Sequence, residues 1–290
     1  MSKLLAWPFV ILQFVLPKHL LTTLVFHLAR IRTKPVKDFL IRRFVSMYKV
    51  DVGEAALPVP DSYASFNDFF TRQLVDGARP IDNAAQAIIS PVDGTVSAAG
   101  NIDSDMVLQA KGKYYSLSDL LMTDVADAER FSNGAFATLY LAPYNYHRFH
   151  CPLNGRLVAA RYVPGALYSV NAATVSLMPN LFTQNERLIC HFKSNAGPFI
   201  LIFVGALHVG SISTPWSGQI RPRRNGVVQD IDILQTEMPT KVAKGDLLGW
   251  FNMGSTVILL LPPGVGALDA GAGEKVRMGQ AIGRLLQGST

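Results

Sequence analysis

Residues 251–262 read FNMGSTVILLLP, and the fold turns on how the second half of that stretch is taken. Val257 to Leu261 are five consecutive apolar residues, closed on one side by Gly254-Ser255-Thr256 and on the other by proline. So short a run predicts a buried strand rather than a helix. The Gly-Ser-Thr at its mouth is ordinary turn chemistry, and spacing alone does not ask for more.

Outward from this strand the texture is the same back to about residue 60. Short apolar runs (FATLYLAP, LVAARYVP, LICHFK, FILIFVGALHVGSI) are punctuated by Gly, Pro, Asn and Asp every 8 to 15 residues, which predicts strands. Two stretches read as helical. SFNDFFTRQL follows an N-cap candidate at Ser65, with Asp68 three residues on, and SLSDLLMTDVADAERF starts at Ser116. A turn also recurs: Ser90-Pro91-Val92-Asp93-Gly94, Cys151-Pro152-Leu153-Asn154-Gly155 and Thr214-Pro215-Trp216-Ser217-Gly218. In each, Pro presets φ, the Asp, Asn or Ser caps its own turn and Gly accepts positive φ before a strand begins. VAKGDLLG (242–249) and VRMGQAIG (276–283) form a second echo. The expected class is α+β and predominantly β, a β-sandwich or barrel-like core of repeated hairpins over residues 61–290. The repeat also bears on Asp93. Its cousins are Asn154 and Ser217, so a turn accounts for that side chain without any chemistry.

The charge is concentrated at the other end. Residues 1–50 hold nine Lys/Arg against one acid, Asp38, a net charge of +8. With the whole chain at +6, the other 240 residues carry −2. Residues 4–17, LLAWPFVILQFVLP, are apolar but fall short of the roughly 20 that a spanning helix needs. A signal peptide is the rival reading, but Lys18 and His19 follow where small residues should stand. Farther on, Phe39, Leu40, Arg42, Arg43, Phe44 and Met47 fit an amphipathic helix with a cationic side. Residues 1–60 are therefore expected to lie on an anionic membrane surface. No nucleic acid is expected, because the body offers no basic stripe with interleaved aromatics.

Two cysteines, Cys151 and Cys190, give neither a disulfide framework nor a metal motif, and no metal is expected. His147 and His150 in PYNYHRFHCP are the one close histidine pair. On a helical turn they share a face; in a strand they oppose each other. Near-neutral titration beside Arg148 suits proton transfer, and a structural role is equally open.

Taken together, YKVD (48–51), SFNDFFTR (65–72), SPVDG (90–94), LQAKGKYYSL (108–117), YLAPYNYHRFHCPLNG (140–155), YVPGALYSVN (162–171), NLFTQNERLIC (180–190), VGALHVGSI (204–212), KGDLLGWFNMGSTVILLLP (244–262) and GQAIG (279–283) resemble the pyruvoyl-dependent phosphatidylserine decarboxylases of bacterial type. The resemblance spans nearly the whole chain. It implies that Ser255 Oγ attacks the Gly254 carbonyl, that the chain parts into a large subunit (1–254) and a small one (255–290), and that residue 255 becomes a pyruvoyl group. It implies His150 as base and Asp93 as its orienting carboxylate, a serine-histidine-aspartate logic. In turnover the pyruvoyl would form a Schiff base with phosphatidylserine, in place of pyridoxal phosphate, with His147 as the acid. Phosphatidylethanolamine and carbon dioxide would be the products. It further implies a homodimer of the cleaved heterodimer. Few cysteines and no convincing cleavable signal favour a peripheral place on the cytoplasmic side of a bacterial cell membrane over an organellar one. One departure is Met253, where the bacterial motif usually has Leu. The change keeps the apolar volume, and processing is expected to survive it. A scaffold without chemistry, or a pyruvoyl enzyme of a soluble amino acid, are the rival classes; the second leaves the basic apolar head unexplained.

Overall fold

The computed structural model describes residues 3–286 except 111, 123–124, 208–210, 224–225 and 234–239. Residues 111, 123–124 and 208–210 of the stretches quoted above thus lie outside the described residues.

The predicted strand runs Thr256–Leu261 and every residue in it is buried. Its apolar run is unbroken because both faces are covered. Val257, Leu259 and Leu261 join one core cluster, and Ile258 and Leu260 join another. The strand lies in the middle of a nine-stranded sheet, between Gly197–Val204 and Ala135–Tyr140. Outside these are Arg187–Ser194 and Gly155–Val163 on one side, and Gly94–Asn101 and Lys275–Val276 on the other. Every pairing in this sheet is antiparallel.

Two smaller sheets contribute to the first cluster. One is Gly218–Ile220, Ile212–Thr214, Leu247–Phe251 and Arg148–His150; the other is Ala87–Ile89, Ala281–Leu285 and Gly266–Leu268. The second cluster is covered by the Met106–Ala110 and Lys113–Ser116 hairpin and by short helices, among them Leu117–Leu121 and Leu181–Gln184. The class is predominantly β with a sandwich core, and the sheets do not close into a barrel. Ser65 and Ser116 both cap helices, accepting from the amides of Asp68 and Asp119. The helix expected from Ser116 breaks, with Met122 at φ 49, and resumes at Val125–Phe131.

The recurring turn proves to be a pseudo-twofold motif. Ser90 N donates to Gln280 O as Cys151 N does to Asp246 O, and Met278 N donates to Asp93 Oδ1 (2.9 Å) as Lys244 N does to Asn154 Oδ1 (2.8 Å). The two copies clasp each other: Ile89 N donates to Pro152 O and His150 N to Pro91 O. Gly245 and Gly279 turn at φ 90 and 89, and a Cβ on either would stand 3.0 Å from Ile81 Cδ1. The third cousin closes only a simple hairpin, Ile212–Thr214 to Gly218–Ile220.

Three helices, Lys3–Val15, Lys18–Ala29 and Lys34–Tyr48, form the head. No single helix among the described residues is long and apolar enough to cross a membrane, and the first two are bent by 90° at their junction. Gln13, the polar break in the apolar run, is buried and ties the head to the body; it accepts from Ser169 N (2.7 Å) and donates to Thr174 Oγ1 (3.2 Å). The third helix turns Ile41 and Phe44 inward onto Tyr63, Phe66, Phe69 and Phe70, while Phe39 and Met47 stay exposed. Not every head cation faces outward: Lys37 is buried, donating to Asp38 (2.6 Å) and Pro60 O.

Candidate active site

The Gly254-Ser255 junction is where the chain passes from one sheet to another. Leu247–Phe251 belongs to the four-stranded sheet and Thr256–Leu261 to the nine-stranded one, so residues 252–255 bridge two rigid elements. Asn252 anchors the near side. Its Nδ2 donates to Ser211 Oγ (2.8 Å) and Ser213 Oγ (2.9 Å), and its Oδ1 accepts from Asn67 (3.0 Å). Ser255 anchors the far side, its carbonyl accepting from Leu141 N (2.9 Å). Between them Met253 is held at φ 150, a region that non-glycine residues rarely occupy. Such a residue persists only where its surroundings over-determine it. Here the anchors on both sides do so, and the Met253 side chain packs on the aromatic cluster of the head.

Ser255 is fully buried and its Oγ has no hydrogen-bond partner among the described residues, nor does Thr256 Oγ1. An unpaired buried hydroxyl costs about 1–3 kcal/mol. His147 borders Gly254. A Cβ built on Gly254 would stand 3.5 Å from His147 Nε2 and 3.4 Å from Leu141 O. His147 Nδ1 lies 2.8 Å from Asn145 O. A carbonyl only accepts, so the proton sits on Nδ1 and Nε2 carries the lone pair; Nε2 has no hydrogen-bond partner among the described residues. Phe70 lies over the ring at 4.1 Å. Burial, aided by the Arg72 charge, lowers this histidine to about 3.

His150 faces elsewhere. The pair stands on extended chain, Arg148–His150 being a strand, so three residues put the two rings on opposite sides. His150 Nδ1 donates to Gly245 O (2.8 Å) and Nε2 accepts from the Tyr146 hydroxyl (3.1 Å). Burial again lowers its pKa, to about 4. Both histidines are neutral at pH 7, so each starts as a proton acceptor. Asp93 is buried and held by Arg79, whose Nε and Nη2 reach it at 2.6–3.0 Å, and Arg79 also pairs with Glu54. Burial alone would lower the Arg79 pKa, but the bonds to Asp93 and Glu54 outweigh it and raise it. The structure thus brings Gly254, Ser255 and His147 together. His150 and Asp93 are each held by their own partners, with no hydrogen bond between them among the described residues.

Three groups escaped the reading of the sequence. Arg79 carries no local signal. Asn252 looks like a loop residue. Glu186, in NERLIC, stands just before a buried strand and is itself buried; adjacent to Arg187, it reads in the sequence as one of an ordinary charged pair. An apolar crevice of about 220 Å³, lined by Leu28, Leu40, Phe44, Met47 and Met253 among others, leads from the head to the junction. Among the described residues no cluster of His, Cys, Asp and Glu suits a metal ion.

A family model described as phosphatidylserine decarboxylase matches residues 66–284, and one described as PSD matches residues 8–49. The chain is 46% identical over 272 residues to a phosphatidylserine decarboxylase proenzyme of Acidovorax ebreus, covering 93% of this chain and 95% of that one. It is 44% identical to the proenzyme of Methylibium petroleiphilum, covering 94% and 96%, and 45% identical to that of Chromobacterium violaceum, covering 94% and 98%. With agreement running through both the head and the body, this chain belongs to the phosphatidylserine decarboxylase family.

Proposed function

We propose that this chain is a precursor that cuts itself between Gly254 and Ser255 and, once cut, decarboxylates phosphatidylserine to phosphatidylethanolamine. The observation that carries this reading is the junction itself: a serine hydroxyl with no partner among the described residues, two positions after a residue at φ 150, in a segment that bridges two separately anchored strands. Ser255 Oγ attacks the Gly254 carbonyl and the chain parts into 1–254 and 255–290. Position 255 suits a carbonyl group made in place, because its backbone is held by Leu141 while its side chain has no competing bond among the described residues. That pyruvoyl carbonyl would supply the electron sink for loss of carbon dioxide.

The chain's own residues divide the proton work. His147 Nε2 faces Gly254, the residue that leaves, and so faces the space through which the substrate amine must come. That favours His147 as the proton carrier of turnover, an acid once it has taken a proton. His150 is the base for cleavage, with Asp93 behind it. Its pseudo-twofold counterpart is Ile89, so the fold itself asks for no histidine there. To reach Ser255, His150 exchanges its bond to Tyr146. Asp93 has the turn role of Asn154 and, beyond it, a charge that Arg79 fixes in place.

The head lies on an anionic bilayer at the cytoplasmic side. Trp7, Ile11, Phe14, Val15, Leu20, Leu24 and Phe39 are each more than half exposed, which only an apolar partner relieves. The apolar crevice to Met253 offers the lipid a way in from that side. The mature pairs are expected to dimerise, which sedimentation of the cleaved protein checks. Denaturing electrophoresis with intact-mass analysis tests the core of the reading. The expected product is a 255–290 fragment that begins with pyruvate, while Ser255→Ala stays whole and inactive. An active protein that remains one polypeptide refutes it.

A further inference from the structure

We propose that Glu186 is the base of the elimination that completes self-cleavage, taking the α-hydrogen of residue 255. This rests on the reading above and adds a residue to it.

The argument is one of register. Thr256 pairs with Val204, and Val204 with Arg187. One step back along these three strands sets Ser255, Gly205 and Glu186 in a row. The backbone bonds agree: Gly205 N donates to Glu186 O, and Leu141 N to Ser255 O, both at 2.9 Å. The row also shares a face. Val257, Phe203 and Leu188, two residues along from each member, all lie in one core cluster. Gly205 has no side chain to stand between the outer two. A Cβ there would meet Glu186 Oε1 at 2.4 Å and Cγ at 2.5 Å, so the carboxyl already lies over Gly205, in the place of its side chain.

Direction matters as much as distance. The Ser255 carbonyl points toward Leu141, so its α-hydrogen points to the opposite strand, toward Gly205. Facing residues of that kind have Cα atoms about 4.5 Å apart. His147 stands at Gly254, and the amide of residue 255 faces Leu141; neither lies on the α-hydrogen side. Glu186 does. It is 1% exposed, its Oε2 accepts from the Tyr162 hydroxyl (2.8 Å), and its Oε1 is unpartnered among the described residues. Burial raises its pKa to about 8, which makes it a stronger base, once ionised, than an ordinary carboxylate.

The step balances. After Ser255 Oγ has displaced the amide nitrogen, Gly254 and Ser255 are joined by an ester. The Glu186 carboxylate takes the α-hydrogen as a proton, its bonding electrons form Cα=Cβ, and the Cβ–Oγ bond breaks. Gly254 leaves as a carboxylate that keeps Oγ. Glu186 ends protonated, and the negative charge has moved to Gly254.

The test follows the full-length precursor by intact mass after cell-free synthesis, with and without hydroxylamine. The wild-type control reports separately on the reading above, since its 255–290 fragment should begin with pyruvate. Glu186→Gln should mature at least 100-fold more slowly, yet hydroxylamine should split it at 254/255 and release a fragment beginning with serine. Wild-type maturation should quicken as pH rises from 6 to 8. Tyr162→Phe, which removes a donor to the carboxylate, should shift that midpoint upward. The proposal is overturned if Glu186→Gln matures at the wild-type rate. A folded Glu186→Gln that hydroxylamine leaves whole also overturns it. Should Glu186→Gln not fold, an unmoved midpoint in Tyr162→Phe overturns it instead.

Discussion

Glu186 holds a proton at neutral pH, and stability must report it. Its carboxyl is fully buried and raised to about 8, against 4.5 in the open chain. The folded state therefore binds more protons than the unfolded one between those values. Because the folded pKa is the higher, the stabilisation is complete below pH 4.5 and is lost as pH rises toward 8. Each pH unit in that window is worth about 1.4 kcal/mol, so this group withdraws about 3 kcal/mol between pH 5.5 and 8. Glutamine has the same shape and no proton to lose. Urea unfolding of the Ser255→Ala precursor, with and without Glu186→Gln, isolates the effect, since every other titrating group is common to both. The difference in stability between the two should change by about 3 kcal/mol across that range, with the glutamate chain gaining relative stability in acid. Parallel pH profiles would refute the assignment of a proton to Glu186.

Three further outcomes are expected. His147→Ala should still cut itself but lose turnover, whereas His150→Ala and Asp93→Asn should accumulate as precursor; fragment masses and carbon dioxide release separate these, and the reverse pattern would exchange the two histidines. In the Ser255→Ala precursor, Asn252→Ala should cost about 2–3 kcal/mol in urea unfolding, because it takes from Asn67 and Ser213 the buried partner they bond; in the wild-type background it should also slow cleavage. Phe14→Ser combined with Phe39→Ser should weaken sedimentation with anionic vesicles by at least tenfold, since each ring withdrawn from an apolar phase costs about 1.5–3 kcal/mol, and should leave self-cleavage intact.

Local chemistry made much of this molecule legible. An uninterrupted Val257–Leu261 run has to be covered on both sides, and a Pro-x-Asx-Gly turn has to launch a strand; both hold. The caps at Ser65 and Ser116 follow from the same short-range logic. Ser255 was legible through its motif. What the sequence could not convey was which turn faces which. Only the folded chain reveals that Asp93 matches Asn154 and His150 matches Ile89, because that equivalence is made by hydrogen bonds spanning 90 and 185 residues. Whether His147 and His150 share a side depended on strand against helix, and tertiary pairing decided for strand. Glu186 and Ser255 are 69 positions apart in the chain and one glycine apart across the sheet. Register sets that proximity, and register is a property of three strands together rather than of any one of them.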